Sequence, residues 1–293
     1  MNAAVVLMAY GSPDRIEDVP EYYADIRGGR PVRPELLADL TERYRQLGIE
    51  ESNPLNQITE QTRAALAAEL GLAVFTGMKH WQPRIADAAE AALRTGSDTV
   101  VGLVLAPHYS QLSIGGYRQQ LDDALAGRAE LEFVDSWHLE PGFVELLAER
   151  VRDTSAHVVF TAHSLPARIL EEGDPYHDQL LATSRAVAQR AALRDWSFSY
   201  QSASSTGEPW LGPDIIDHLE ALHAKGVDEV LVCPIGFVAD HLEIRWDLDT
   251  QAHQKADELG MRLVRIEMPN AEPAFVATLA TIVRRALAVP SIP

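Results

Sequence analysis

Val5-Val6-Leu7-Met8-Ala9-Tyr10-Gly11-Ser12-Pro13 is an apolar run that ends at a polar ring residue, followed by a small-residue turn and a proline. Val158-Val159-Phe160-Thr161-Ala162-His163-Ser164-Leu165-Pro166 has a similar order of residue types in the second part of the chain. Repetition of this kind predicts two similar halves. Ligands of open α/β sheets bind outside the carboxyl ends of the strands. The ring residues that end the two runs, Tyr10 and His163, are therefore expected to face one shared cleft.

Further apolar runs alternate with amphipathic segments of helical periodicity along the chain. We predict strands over Ala4–Ala9, Ala73–Gly77, Thr99–Ala106, Glu132–Asp135, His157–Ala162, Ser197–Gln201, Glu229–Pro234 and Arg262–Glu267. We predict helical segments over Ala64–Leu70, Pro83–Leu93, Phe143–Val151, Gln179–Leu193, Ile215–Lys225 and Glu272–Ala288. The strand runs are continuous rather than alternating, which indicates burial on both faces and thus a parallel sheet covered by helices. The predicted fold class is α/β.

The boundary between the halves is predicted close to Trp137–Gly142. It gives a first domain over residues 1–138 and a second over residues 139–271. The last helical segment, 272–288, follows the second domain, and the sequence leaves open whether it packs back onto the first.

Composition narrows the class of protein. The chain has 293 residues, of which 46% are hydrophobic and 23% charged, as in ordinary soluble globular proteins. Its net charge of -18 argues against binding to nucleic acid or to anionic membrane surfaces. A small cation such as a divalent metal would be attracted instead.

Cys233 is the single cysteine, so neither an intrachain disulfide nor a cysteine-ligated zinc or iron–sulfur cluster can form. This is compatible with a reducing compartment. We expect no signal peptide, because the sequence opens with a strand-like run and lacks a basic start and a cleavage site, and no apolar run approaches the roughly 20 residues of a membrane span. We expect a cytoplasmic protein without stable membrane insertion.

His163 is the first candidate for chemistry, because a histidine at a strand end can act as a base or a metal ligand near neutral pH. A histidine that is simply hydrogen-bonded within a turn is the alternative. Ser164 lacks the Gly-x-Ser-x-Gly context of a hydrolase nucleophile. Dinucleotide-binding, P-loop and His-Glu-x-x-His motifs are also absent from the sequence.

Glu243, Asp247 and Gln251 are four residues apart and would share one face of a helix. Oxygen ligands in such a row could pass a hard divalent cation along the helix. A solvated acidic face at a helix start, where the helix dipole favours carboxylates, explains the pattern equally well.

Five motifs together resemble the ferrochelatase family. They occur in that family's order and extend over nearly the whole chain: Tyr10–Pro13, Thr161–Pro166, Tyr200–Ser202, Gly207–Pro213 and Pro234–Glu243. The resemblance implies two Rossmann-like, chelatase-type domains with a porphyrin cleft between them, and insertion of ferrous iron into the macrocycle.

The resemblance also assigns roles. His163 corresponds to the family's active-site histidine, which binds metal or accepts a pyrrole proton, and Glu243 to an acidic partner across the cleft. Asp247 continues the acidic row thought to guide the metal, so the implied metal residues are His163, Glu243 and Asp247. Gln251 departs from the family pattern, in which a carboxylate is usual.

Contacts with the porphyrin are implied in the same way. Tyr10 resembles the residue that approaches the iron from the other face in the branch that uses coproporphyrin. The remaining contacts, with propionate groups, would be Arg27, Arg43 (or Arg45), Tyr117, and Ser52 or Asn53.

These residues favour coproporphyrin III, whose four carboxylates arginines can orient, with Fe²⁺ as the second substrate. We expect a monomeric enzyme that requires no cofactor and no iron–sulfur cluster. A protoporphyrin IX ferrochelatase and a sirohydrochlorin or cobalt chelatase are alternatives within the chelatases. A non-catalytic tetrapyrrole carrier and an α/β sugar- or phosphate-binding protein are alternatives from other classes.

Overall fold

The computed structural model describes residues 2–48, 54–203 and 207–288. The strands of the first half are β1 Ala3–Ala9, β2 Ala73–Met78, β3 Thr99–Val104 and β4 Glu130–Val134. Those of the second half are β5 His157–His163, β6 Trp196–Gln201, β7 Glu229–Cys233 and β8 Arg262–Arg265. Each set forms a four-stranded parallel sheet, in the orders β2-β1-β3-β4 and β6-β5-β7-β8. The orders are identical once the strands are matched in sequence, which confirms the α/β prediction and the internal repeat.

Helices cover both sheets. Their bounds are α1 Val19–Ile26, α2 Pro34–Gln46, α3 Pro54–Leu70, α4 Ile85–Arg94, α5 Ile114–Leu125, α6 Pro141–Val151, α7 Tyr176–Arg190, α8 Ile215–His223, α9 His253–Leu259 and α10 Pro273–Ala288. A π-helix, Ile244–Ala252, runs directly into α9. The sequence prediction missed α1, α2, α5 and α9. Two of these have a visible cause, because α2 is rich in charged residues and α5 carries Gly115 and Gly116 in its first turn.

The apolar runs end where the predicted cleft begins. All seven residues of β1 are buried, and the chain reaches the surface of the cleft at the next residue, Tyr10. In the second half β5 occupies the equivalent central position and ends at His163. Because both strands are parallel to their neighbours, their carboxyl ends carry the loops that build the site.

One apolar core extends across both halves. It includes Leu7 and Leu103 of the first sheet, Phe160 of the second, and Phe275 of α10. Helix α10 also contacts α3 of the first half, where Arg284 Nη2 donates to the carbonyl oxygen of Glu69 at 2.9 Å. None of the helices in the described ranges is both long and apolar enough to cross a bilayer.

Candidate active site

A cleft of about 500 Å³ lies between the two halves at the carboxyl ends of their strands. Tyr10, Lys79 and Tyr117 line it from the first half, and His163 and Glu243 from the second. The shared cleft predicted from the repeat is therefore present. Both of its walls carry titratable side chains that can take part in acid–base chemistry. Its volume is also large enough for a small-molecule site.

His163 and Glu243 form a close pair on one wall. The Nδ1 atom of His163 lies 3.4 Å from Oε2 of Glu243, and each side chain is about one-third exposed, at 34% and 35%. Neither atom has a hydrogen-bond partner, although both are shielded from solvent. Two ligands bound to one tetrahedral divalent metal are about 3.4 Å apart when each bond is about 2.1 Å long. The pair is thus spaced to share a metal ion, or to accept protons.

The expectation that Glu243 lies across the cleft from His163 is wrong, because both residues belong to the second half. The loop after β7 folds back over the end of β5, where Gly236 N donates to the carbonyl oxygen of Thr161 at 3.2 Å. A side chain at Gly236 would place its Cβ 2.6 Å from Cβ of Ala162. Only glycine permits this approach, and it brings the following segment, with Glu243, beside His163.

Tyr10 lies on the first-half wall. The residue is 42% exposed and lines the cleft, and its ring centroid lies 4.6 Å from that of His80. Enclosure in the cleft, and secondly the charge of Glu243, raise the pKa of the Tyr10 phenol. Gly11 turns the chain directly after it with a φ of +86°, packed so tightly that a Cβ there would lie 2.8 Å from Cβ of Trp81.

Two cleft residues that the sequence prediction missed follow β2. His80 Nδ1 lies 2.8 Å from Oδ2 of Asp25, and burial lowers the pKa of the imidazole against the opposing effect of that carboxylate. Lys79 Nζ lies 4.7 Å from the ring centroid of Tyr117 and donates to the carbonyl oxygen of Ser113 at 3.1 Å. Burial lowers the pKa of this ammonium group. Their position after a predicted strand was the available signal.

Of the residues expected to contact the porphyrin, some line the cleft and others do not. Tyr117 is buried and lines the cleft, whereas Arg27 and Arg43 are half-buried beside lining residues, with an Nε atom each that lacks a hydrogen-bond partner. The Arg43 guanidinium lies 5.3 Å from the ring centroid of Trp246 and pairs with Asp39 at 2.7 Å. Arg45, the alternative to Arg43, is exposed and pairs with Glu42. Ser52 and Asn53 lie outside the described residues.

Asp247 lies one step beyond Glu243 in the π-helix, with 8% of its surface exposed. Ser202 Oγ donates a hydrogen bond to Oδ2 of Asp247. Burial, and secondly the charge of Glu243, raise the pKa of Asp247 to about 7, against the opposing effects of Ser202 and Arg43. Gln251, the next member of the row, is exposed.

The row therefore leads from the cleft at Glu243, through buried Asp247, to solvent at Gln251. Within the described ranges, no group of three or more His, Cys, Asp or Glu side chains is arranged to hold one metal ion together. His163 and Glu243 are thus a close pair of side chains, and Asp247 is not grouped with them in one three-residue cluster.

Comparison with solved structures agrees with the two-domain architecture. SirB from Bacillus subtilis with Fe3+ superposes with a TM-score of 0.64 over 98% of this chain and 96% of that one, at 11% sequence identity. At this identity the likeness shows the fold alone, which is of the chelatase type.

Comparison of sequences identifies the family. The family model described as Ferrochelatase matches residues 2–287. A ferrochelatase from Herpetosiphon aurantiacus is 45% identical over 301 residues, which cover 96% of this chain and 98% of the relative. A coproporphyrin III ferrochelatase from Bacillus pumilus is 39% identical over 303 residues, with 97% and 96% covered. The chain belongs to the ferrochelatase family, and its reaction is the insertion of a metal ion into a porphyrin.

Proposed function

We propose that this ferrochelatase inserts Fe²⁺ into coproporphyrin III, with His163 and Glu243 as its catalytic residues. The observation that supports the proposal most directly is the unpartnered pair of His163 Nδ1 and Glu243 Oε2, 3.4 Å apart on the cleft wall. Unpartnered buried polar atoms cost stability, so a protein retains them where function uses them.

The chemistry requires proton acceptors. A free porphyrin carries two pyrrole N–H protons, and both must leave as Fe²⁺ takes their place among the four nitrogens. An imidazole and a carboxylate beside the ring can accept these protons. They can also hold Fe²⁺ weakly enough to release it into the ring, because a pair of N and O ligands does not form a closed metal site. In this scheme Tyr10 approaches the inserted iron from the opposite face.

Coproporphyrin III is favoured by the charges around the cleft. Its four carboxylates need cationic partners, and Lys79 lines the cleft. Arg27 and Arg43 are next in sequence to the lining residues Ile26 and Tyr44, and each holds a buried Nε atom without a hydrogen-bond partner. Arginine–carboxylate pairs combine charge with directional hydrogen bonds. The name of the Bacillus pumilus relative points to the same substrate.

No added cofactor enters this scheme. Fe²⁺ is a substrate, and the single cysteine, Cys233, is buried, where burial raises the pKa of its thiol and disfavours the thiolate that metal ligation requires. We propose that the enzyme is active without a resident metal cluster. Metal-free protein should then turn over as soon as Fe²⁺ and porphyrin are supplied.

Anaerobic insertion of Fe²⁺ into coproporphyrin III and protoporphyrin IX, measured side by side, tests the substrate. We expect a higher kcat/KM with coproporphyrin III. A preference for protoporphyrin IX would contradict the substrate while leaving the ferrochelatase reaction in place. Arg27→Leu and Arg43→Leu should each raise KM for coproporphyrin III, and Arg45→Leu, which replaces an exposed neighbour, serves as the matched control.

A further inference from the structure

The segment Gly173-Asp174-Pro175-Tyr176 at the start of α7 connects the two walls of the cleft. We propose that Asp174 and Tyr176 are positioning residues that hold His163 at a set distance from the first-half wall. The inference rests on the catalytic role proposed for His163.

Asp174 joins the halves through one carboxylate. Its Oδ2 atom accepts hydrogen bonds from Ser110 Oγ at 2.9 Å and from the backbone N–H of Gln111 at 2.8 Å. Both donors belong to the first-half loop after β3. The other oxygen, Oδ1, accepts from the backbone N–H of Tyr176 at 3.0 Å. Displacement of the first-half loop would therefore be transmitted to Tyr176.

Tyr176 carries the connection to the catalytic histidine. Its hydroxyl donates to the backbone carbonyl oxygen of His163 at 3.0 Å, and its ring is buried along the cleft. Burial, the largest cause, raises the pKa of this phenol, so the hydroxyl keeps its proton and remains a donor across the working pH range. The bond fixes the peptide from which the imidazole of His163 projects.

Two further residues on the same face of α7 strengthen the link. Gln179 Oε1 accepts from the backbone N–H of Tyr109 at 2.7 Å, and Thr183 Oγ1 lies 2.9 Å from Nε2 of His108. Tyr176, Gln179 and Thr183 follow the spacing i, i+3 and i+7, which places them on one helix face. The loop that they hold continues to Leu112 and Ser113, which line the cleft.

Such a link matters because metal transfer depends on distance. Fe²⁺ held by His163 and Glu243 must reach a ring that the first-half wall supports, and small misplacements of reacting groups lower rates by large factors. The positions of both groups are connected through two side chains, Asp174 and Tyr176.

Tyr176→Phe removes the hydroxyl while it keeps the ring on the cleft wall. We expect kcat to fall about tenfold, with KM for coproporphyrin III within about twofold of the unmodified enzyme, because the lost bond positions His163 rather than the porphyrin. Tyr200→Phe is the matched control. Its hydroxyl is bonded to His177 Nδ1 at 2.6 Å, and Tyr200 is not among the residues that line the cleft in the described ranges. It should lower Tm with little change in kcat.

Asp174→Asn tests the connection between the two residues. An amide cannot accept hydrogen bonds through both of its terminal atoms, so either the bonds to the first-half loop or the bond to Tyr176 N–H is lost. We expect kcat to fall as for Tyr176→Phe, and the double variant to fall by clearly less than the product of the two single effects.

His163→Ala separates this inference from the proposed function. If His163→Ala retains turnover, the proposed role of His163 is wrong. If His163→Ala is inactive but Tyr176→Phe keeps the kcat of the unmodified enzyme, the positioning role is overturned. It is also overturned if the effects of Tyr176→Phe and Asp174→Asn on kcat multiply in full in the double variant.

Discussion

At the scale of single residues, the site depends on polar atoms left without partners. His163 Nδ1 and Glu243 Oε2 lack hydrogen bonds within a shielded wall, and an unsatisfied buried group costs about 1–3 kcal/mol. Substitutions that remove either atom should therefore leave the folded state intact while they lower turnover strongly.

His163→Ala and Glu243→Gln should each lower turnover by roughly 10² or more, which is the usual contribution of a positioned acid–base group. Neither should lower Tm appreciably, because both side chains are about one-third exposed in the cleft. Turnover at saturating Fe²⁺ and thermal unfolding measure the two effects. Near-normal turnover of either variant would remove that residue from the mechanism.

Asp247 should act as a guide for iron whose charge depends on pH. Its pKa is raised to about 7, chiefly by burial, so the carboxylate becomes negative as pH rises through that value. The apparent KM for Fe²⁺ should therefore fall between about pH 6 and pH 8, and high ionic strength should weaken the effect. Initial rates over a range of Fe²⁺ concentrations measure it.

Asp247→Asn is the control for this titration, because it keeps the size of the side chain and removes the charge. It should raise KM for Fe²⁺ at pH 8, mostly spare kcat, and flatten the pH dependence of KM. A fall in kcat at saturating iron with unchanged KM would instead place Asp247 among the proton acceptors.

At the scale of elements, the strand ends could be predicted from the sequence and the loop contacts could not. A strand that is buried on both faces is an uninterrupted run of apolar residues, so β1 and β5 could be recognised in the sequence. Tyr10 and His163 were then placed at the ends of these strands. The position of Glu243 depends on a backbone contact between Gly236 and Ala162, which leaves no periodicity in the sequence.

Gly236→Ala should displace the loop that carries Glu243, because the new Cβ would lie 2.6 Å from Cβ of Ala162. We expect lower turnover together with a loss of about 1–3 kcal/mol in the free energy of unfolding, the usual cost of overpacking. The double variant Gly236→Ala with Ala162→Gly removes the contact between the two Cβ atoms but leaves the new Cβ 2.9 Å from Cα of residue 162, so it should recover only part of the turnover. Turnover no higher than that of Gly236→Ala alone would show that Cβ of Ala162 is not what displaces the loop. Kinetics and urea unfolding measure both variants.

The helix after Glu243 was predicted only in part. A spacing of four suggested an ordinary helix, whereas the structure has a π-helix over Ile244–Ala252, a rare form that is frequent at functional sites. Local propensity does not distinguish the two forms. Tertiary contacts such as Ser202 with Asp247 are specific to the folded chain.

At the scale of the whole molecule, the halves resemble two domains in topology but share one core. The sequence predicted two parallel sheets, because these follow from the strand runs, but it did not predict the strand order and left the packing of α10 open. In the structure Phe275 of α10 is 1% exposed and lies 6.0 Å from Trp137 between ring centroids, within the core that also holds Phe160 of the second sheet.

This shared core predicts that the two halves unfold together. Urea unfolding followed by tryptophan fluorescence and by circular dichroism should give one coincident transition. Phe275→Ala should lower the free energy of unfolding by about 3–5 kcal/mol, the usual cost of truncating a buried phenylalanine. The transition should move to a lower urea concentration and remain a single transition. Thr281→Ala, on the exposed side of the same helix, is the control and should change the midpoint little. Two separate transitions in the unmodified protein would show instead that residues 1–138 and 139–271 fold independently. In that case, the transition that Phe275→Ala shifts would identify the half that α10 stabilises.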